Sequence, residues 1–566
     1  MGASGGRSRI GGGARLRAAL VALLAAAIGG LPVATAEAQQ PAPVPEPRAT
    51  LGGVDYGVNT LELVHAIQQR DITESERMMD RIRDMRLTTA RVTLSWAATE
   101  PRRGQHDPGL LDTLVGGLAK RGVRVQFVLD SWPPWAGPPG CRHGDVSYGQ
   151  PDLGALRSFV RWVADRYAAG GSFWRAHGKL DQGLAPQWLE VGNETNDPSR
   201  WCGPVDAAAY ARMLDAALDA LHGRTPSLRV AFAGPSNHWL DRETDPRRVL
   251  AIQHFLRAVA AADRTVLGRL DGFGLHPYGG HGVAGSGEAV LGDVVAYRQL
   301  LLALGIPPWV PILATETGVT TPPGFIDGVF RDHGSQESAR AAMVRRGAEL
   351  GSRNDCNVPV WQVHTLYTSN AVPPRDLTVP EDAYQRLVRE EFYGLLWGPE
   401  TAFALKPTAV AYRDFVVRAS TVARQPHCLA ALRRDGSAAT LRAAHPDWFR
   451  ADGSLQTEEP AAAVVRSAEE EAQAVARIRS RTLRLPRRSS SIRLSVRCLG
   501  RCRATIRDAR RKRIATRVGT CGALRCRISV RLSARAERRL RGAARTRVSV
   551  RVADGPWLRA QVRPQR

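Results

Sequence analysis

The stretch Trp188-Leu189-Glu190-Val191-Gly192-Asn193-Glu194-Thr195-Asn196 has a counterpart further along the chain, Leu313-Ala314-Thr315-Glu316. Each is a short apolar run that stops on a glutamate. A carboxylate at the end of a buried strand is costly unless partners hold it there. A closed barrel of parallel strands gives both endings one explanation, because it gathers the carboxyl ends of its strands around a single mouth. Two carboxyl groups facing each other there suit acid/base and nucleophilic work on a glycosidic bond.

Outward from these two stretches, strand-like and helix-like patterns alternate between Leu51 and about residue 420. The strand-like runs are Gly53–Val58, Thr89–Leu94, Val123–Leu129, Gln187–Val191, Arg229–Ala233, Asp271–Leu275, Val310–Ala314 and Pro359–Val363. Helical spacing follows each in turn, at Ser75–Met85, Gly109–Arg121, Leu153–Tyr167, Val205–His222, Arg248–Ala262, Val290–Leu304, Gln336–Gly351 and Pro380–Leu396. Eight such units predict a (β/α)8 TIM barrel over residues 51–421. An open doubly wound sheet fits less well, since no Gly-rich phosphate turn follows the first strand. Strand alternation predicts that Gly192 and Ala314 share a face with Glu194 and Glu316, and that Glu190 lies deeper on that face beside a buried cation.

The termini read differently. Arg7, Arg9, Arg15 and Arg17 precede an apolar run from Ala18 to Ile28, and small-residue cleavage sites follow at Ala34-Thr35-Ala36 and Ala36-Glu37-Ala38. That order predicts a signal peptide over 1–38, a secreted product and no transmembrane span in the mature protein. Residues 39–50 then form a Pro-rich linker. Eight cysteines in an exported chain favour disulfides, with Cys141 paired to Cys202 and Cys356 to Cys428. Cys498, Cys502, Cys521 and Cys526 superficially match a zinc ribbon, but the spacing is wrong and no histidine is near. No metal or cofactor is expected.

The net charge of +25 belongs almost wholly to residues 481–566, where 27 basic residues face three acidic ones. Alternation at Ile492–Val496, Cys526–Val530 and Val548–Val552 predicts a small, basic, disulfide-containing β-sandwich-like module. Residues 422–480 read as a linker with a helical segment around Glu469-Glu470-Glu471. Anionic polysaccharide or cell wall is the partner this charge suits best; nucleic acid ranks behind it, for want of a recognised motif.

The barrel resembles the retaining clan A glycoside hydrolases, which include families 5 and 39, through Asn193-Glu194 after strand four and Glu316 after strand seven. The resemblance implies that Glu194 is the general acid/base, Glu316 the nucleophile, and Asn193 a ligand for the sugar 2-hydroxyl. It further implies substrate-binding or orienting roles for Arg91, for His276 and Tyr278 in His276-Pro277-Tyr278, and for Trp361 as a platform beneath the sugar. Thr195 stands where many members have proline, which leaves the family and the sugar open. Trp96, Trp132, Trp135, Trp201 and Trp239 follow strands and are candidates for further sugar subsites, with loop packing the alternative. The function implied is a secreted retaining β-glycoside hydrolase acting on oligo- or polysaccharide. A non-catalytic carbohydrate-binding protein on a degenerate barrel is the other reading.

Overall fold

A computed structural model describes residues 53–458, except 223–224, 226, 238–243, 280–286, 321–332, 370–383 and 385–390, and beyond them the strands between 482 and 564. The predicted signal peptide, the Pro-rich linker up to residue 50, Trp239 and the Glu469–Glu471 patch lie outside the described residues. Eight strands close into a barrel: β1 (Asp55–Asn59), β2 (Thr89–Thr93), β3 (Arg124–Leu129), β4 (Trp188–Val191), β5 (Arg229–Phe232), β6 (Gly272–Leu275), β7 (Ile312–Ala314) and β8 (Val360–Val363). Each pairs in parallel with the next, and β1 pairs with β8.

The outer layer is α1 (Ile72–Asp84), α2 (Gly109–Ala119), α3 (Leu153–Tyr167), α4 (Ala207–Leu221), α5 (Ile252–Ala262), α6 (Gly287–Ala303), α7 (His333–Ser352) and α8 (Pro407–Arg418). Several start where an aspartate side chain accepts an otherwise unpaired backbone N–H: Asp71 from Glu74, Asp152 from Ala155 and Asp206 from Ala209. The eighth helix is a correction. Of the predicted Pro380–Leu396 helix, residues 391–396 are turn and irregular backbone, and nearly all the rest lies outside the described residues. The closing helix instead starts at Pro407, where a proline has no intrahelical N–H bond to lose.

Strand parity divides the core in two. Phe127, Leu189, Phe232 and Trp361 belong to the layer between strands and helices. There Phe127 meets Tyr167 at 5.8 Å and Phe232 meets Tyr210 at 5.1 Å. Burying a phenylalanine in this way contributes roughly 1.5–3 kcal/mol. The opposite parity fills the barrel. Trp188, Ala231, Leu313 and Val360 form its apolar floor. Above them Gln362 Nε2 donates to Gln126 Oε1 at 3.2 Å and to Thr89 Oγ1 at 3.4 Å. The interior thus becomes polar toward the mouth.

Both predicted disulfides form, Cys141–Cys202 and Cys356–Cys428. The second ties the approach to β8 to a helix at His427–Arg434, within the predicted linker. Asp355 caps that helix by accepting the N–H groups of Cys428 at 2.7 Å and Leu429 at 3.0 Å. Leu429, Leu432, Trp448 and Leu455 join the same core as the barrel, so the chain stays packed well past residue 421. Among the described residues no helix is long and apolar enough to cross a membrane.

Between 482 and 564 lie β9 (Thr482–Leu485), β10 (Ser491–Val496), β11 (Gly500–Asp508), β12 (Arg513–Cys521), β13 (Cys526–Arg531), β14 (Thr546–Val552) and β15 (Leu558–Pro564). They pair as one five-stranded sheet, β9-β15-β14-β11-β12, and one two-stranded sheet, β10-β13.

Candidate active site

At the mouth, Arg91 from the middle of β2 organises the other groups. Its guanidinium donates from Nε to Glu190 Oε2 at 2.8 Å, from Nη1 to Glu316 Oε1 at 2.7 Å and from Nη2 to Asn193 Oδ1 at 2.7 Å. Glu190 is fully buried, and its other oxygen accepts the Gly234 N–H at 2.7 Å and the Thr315 hydroxyl at 3.0 Å. A buried carboxylate with three hydrogen bonds and a cation in contact is satisfied, so Glu190 is a scaffold for Arg91.

Glu316 adds a bond from the Tyr278 hydroxyl to Oε2 at 3.1 Å. Burial pushes its carboxyl up, but the positive fields of His276, Arg91 and His364 and the Tyr278 hydrogen bond outweigh that. The group is held well below the usual carboxylate range. Glu316 is therefore ionised at neutral pH. Glu194 stands opposite, a quarter exposed, with Oε1 3.1 Å from His276 Nδ1. The same nitrogen lies 3.7 Å from Glu316 Oε2. An ionised carboxylate only accepts, so Nδ1 carries the ring proton whenever it bonds to an ionised Glu194. One oxygen of each glutamate and a ring nitrogen of His276 all fall within 4.8 Å of one another.

These three donors have a spacing that a cation would bridge. The Arg91 charge already in contact with Glu316 disfavours a second positive centre there. A second cluster, Asp355 with Cys356 and Cys428, is not a ligand set, because its two sulfurs are bonded to each other.

The glutamates do not reach this position by strand alternation. Glu190 and Thr315 face the barrel interior, whereas Gly192 and Ala314 face the helices. A Cβ at Gly192 would meet Thr195 and Tyr210 of α4. The chain instead turns out of β4 through two left-handed residues, Gly192 at φ +94° and Glu194 at φ +50°. Glycine adopts that conformation freely; a glutamate held in it is an outlier, and such outliers gather at functional sites. The Glu194 N–H is fixed to Gly234 O at 3.0 Å.

Of the residues singled out in the sequence, Glu194, Glu316, Asn193, Arg91, His276 and Tyr278 meet here; Trp361 does not. Its parity on β8 sends it outward, fully buried, against Gly351 of α7, where any Cβ would overlap the ring. The residue just past β8 that reaches the mouth is His364, whose Nδ1 lies 4.0 Å from Glu316 Oε2 and 3.4 Å from Asn59 Nδ2. Reading the strand in twos from Gln362, a polar residue that must face inward, leads to His364. Asp130, just past β3, and Arg200 were also missed; they pair at 3.2 Å beside Asn193. Trp96 is a core residue stacked on Phe159 at 4.7 Å, whereas Trp132 and Trp201 line a small pocket beside Asn193. Trp135 packs edge-on against Trp96.

No family model matches this sequence, and no curated protein does. Solved structures match over part of the chain at low identity. A family 39 glycoside hydrolase from Bacteroides cellulosilyticus WH2 is 16% identical at TM-score 0.43, over 65% of each chain. A GH5_18 structure from Streptomyces cattleya in complex with GlcNAc is 16% identical at TM-score 0.46, over 70% of this chain and 91% of that one. A GH39 β-xylosidase from Caulobacter crescentus is 20% identical at TM-score 0.41, over 64% and 70%. This chain spans just under two thirds of the length of the Bacteroides protein.

Proposed function

We propose that this protein is a retaining β-glycoside hydrolase, with Glu316 as nucleophile and Glu194 as general acid/base. The observation that carries the reading is the pair itself. Carboxylate oxygens from two strand ends come within 4.8 Å, one of them ionised and oriented by Arg91 and Tyr278. Retaining hydrolysis needs carboxyl groups about 5–5.5 Å apart, whereas inversion needs about 6.5–9.5 Å to admit a water. In the first step Glu316 attacks the anomeric carbon while Glu194 gives its proton to the departing oxygen. In the second, Glu194 takes a proton from water, which displaces Glu316 and regenerates the sugar. Asn193 Nδ2 is left to meet the hydroxyl next to the reacting carbon, since Arg91 occupies its Oδ1. A non-catalytic sugar-binding role gives no reason to keep an ionised, arginine-held carboxylate beside a second one. The test is proton NMR during hydrolysis of a panel of aryl β-glycosides. The β-anomer is expected as first product, and either the α-anomer or no hydrolysis across the panel rejects the reading.

We further propose that the basic module holds an anionic polysaccharide. By register in β11, β14 and β15, Arg503, Arg507, Arg547, Arg551, Arg559 and Arg563 fall at positions of one parity. Ile506, Val548, Val550, Leu558, Ala560 and Val562 fall at the other. Such a division supports an electrostatic face, and electrostatic binding weakens with salt. The full chain is expected to bind pectin or alginate resin at low salt and to elute with salt, while a chain ending at residue 458 passes through. Equal behaviour of the two rejects the assignment.

A further inference from the structure

A small pocket adjoins Asn193 between the ends of β3 and β4, with Asp130, Trp132, Arg200, Trp201 and Met213 among its walls. The ion pair between Asp130 and Arg200 uses Oδ2 and Nη1. Three other polar atoms of these walls are buried and have no hydrogen-bond partner among the described residues: Asp130 Oδ1, Arg200 Nε and Trp132 Nε1. Trp132 is only 3% exposed, so water does not serve its N–H from outside. Buried polar groups left unpaired are rare in folded proteins, and several around one pocket call for a ligand group.

Their chemistry is specific: one acceptor and two donors. A hydroxyl donates once and accepts twice, which is the complement of this set. A carboxylate or sulfate has no proton for Asp130 and meets its negative charge. The walls are also fixed in advance. The Cys141–Cys202 disulfide joins the two loops, Trp132 and Ser147 exchange backbone hydrogen bonds at 3.2 and 2.7 Å, and Trp201 Nε1 donates to Thr195 O at 2.9 Å.

We propose that this pocket is the specificity site for the glycone. It takes one hydroxyl of a neutral sugar, with Asp130 as acceptor and Arg200 and Trp132 as donors, and it rejects uronic acids and sulfated sugars. The word glycone rests on the reading of Glu194 and Glu316 as the reacting pair; the hydroxyl pocket itself does not.

The test uses the full chain, the aryl β-glycoside it hydrolyses best, and the monodeoxy analogues and uronide of that sugar. The variants are Asp130→Asn and Trp132→Phe, each close in shape to the native residue and each checked by thermal melting. One deoxy analogue is expected to lose at least about 100-fold in kcat/KM with the wild type. The same loss should shrink below about tenfold in either variant, and Asp130→Asn should gain on the uronide by about tenfold. Variants that slow every substrate in the same proportion overturn the proposal and leave a pocket filled by structural water. If the wild type hydrolyses nothing, the hydrolase reading fails alone. The pocket is then judged by calorimetric Kd values for the same sugars, where the same selective loss upholds it and its absence overturns it.

Discussion

Glu316→Ala is expected to lower kcat/KM on aryl β-glycosides by about 10⁴-fold or more, with the fold intact. Removing a nucleophile from a group of residues that act together costs nearly the whole of their joint effect. The loss should fall on kcat, because the glycosyl-enzyme ester can no longer form. Azide added to this variant is expected to restore turnover as the α-glycosyl azide, since the small anion attacks from the face Glu316 vacates. An unchanged rate in Glu316→Ala, or an azide product of β configuration, contradicts the assignment. The variant also deletes a carboxylate that Arg91 and Tyr278 stabilise in its ionised form, so its melting temperature should fall.

Arg91→Met should act on stability as well as on rate. The Arg91 side chain is 5% exposed and contacts Glu190, which is fully buried, and Glu316. Removing one partner of a buried ion pair leaves the other charge unpaired and costs about 3–5 kcal/mol. The pH dependence has a definite sign. In the native protein the Glu316 carboxyl lies below its usual range, so its contribution to stability is present at neutral pH and lost as pH falls through the carboxylate range. Without Arg91 one of the groups holding it down is gone. The acid limb of kcat/KM is therefore expected to move to higher pH, together with a lower denaturation midpoint. Arg91→Lys keeps a charge but cannot aim at three acceptors, so it should fall between the two. A variant as stable as the wild type, with an unmoved acid limb, removes Arg91 from the role given to it.

Most of the barrel could be read from the chain because its signals are local. Strands such as Arg124–Leu129 and Trp188–Val191 are apolar runs bounded by helical spacing, and all eight lie where the pattern put them. The acidic strand ends were legible for a similar reason, since a glutamate closing an apolar run is conspicuous. What was not legible depends on where a strand stops and how the chain leaves it. Trp361 looked like a sugar platform from its place on the last strand, but a one-residue difference in parity turns it into the helix layer. His364 lies one residue beyond the strand, and only counting in twos from the inward-facing Gln362 points to it. The Asp130–Arg200 pair joins residues seventy positions apart and leaves no local trace. The helix at Pro407 was missed because a proline reads as a breaker until its place in the first turn is known.

The packed stretch after α8 bears on how this molecule can be divided. A cut at residue 421 would strip Leu429, Leu432, Trp448 and Leu455 from the surface they cover and leave Cys356 with an unmatched thiol. Fragments meant to carry the hydrolytic half alone should therefore run through the bridge at Phe449 and Leu455, which sets the earliest safe stop near residue 458.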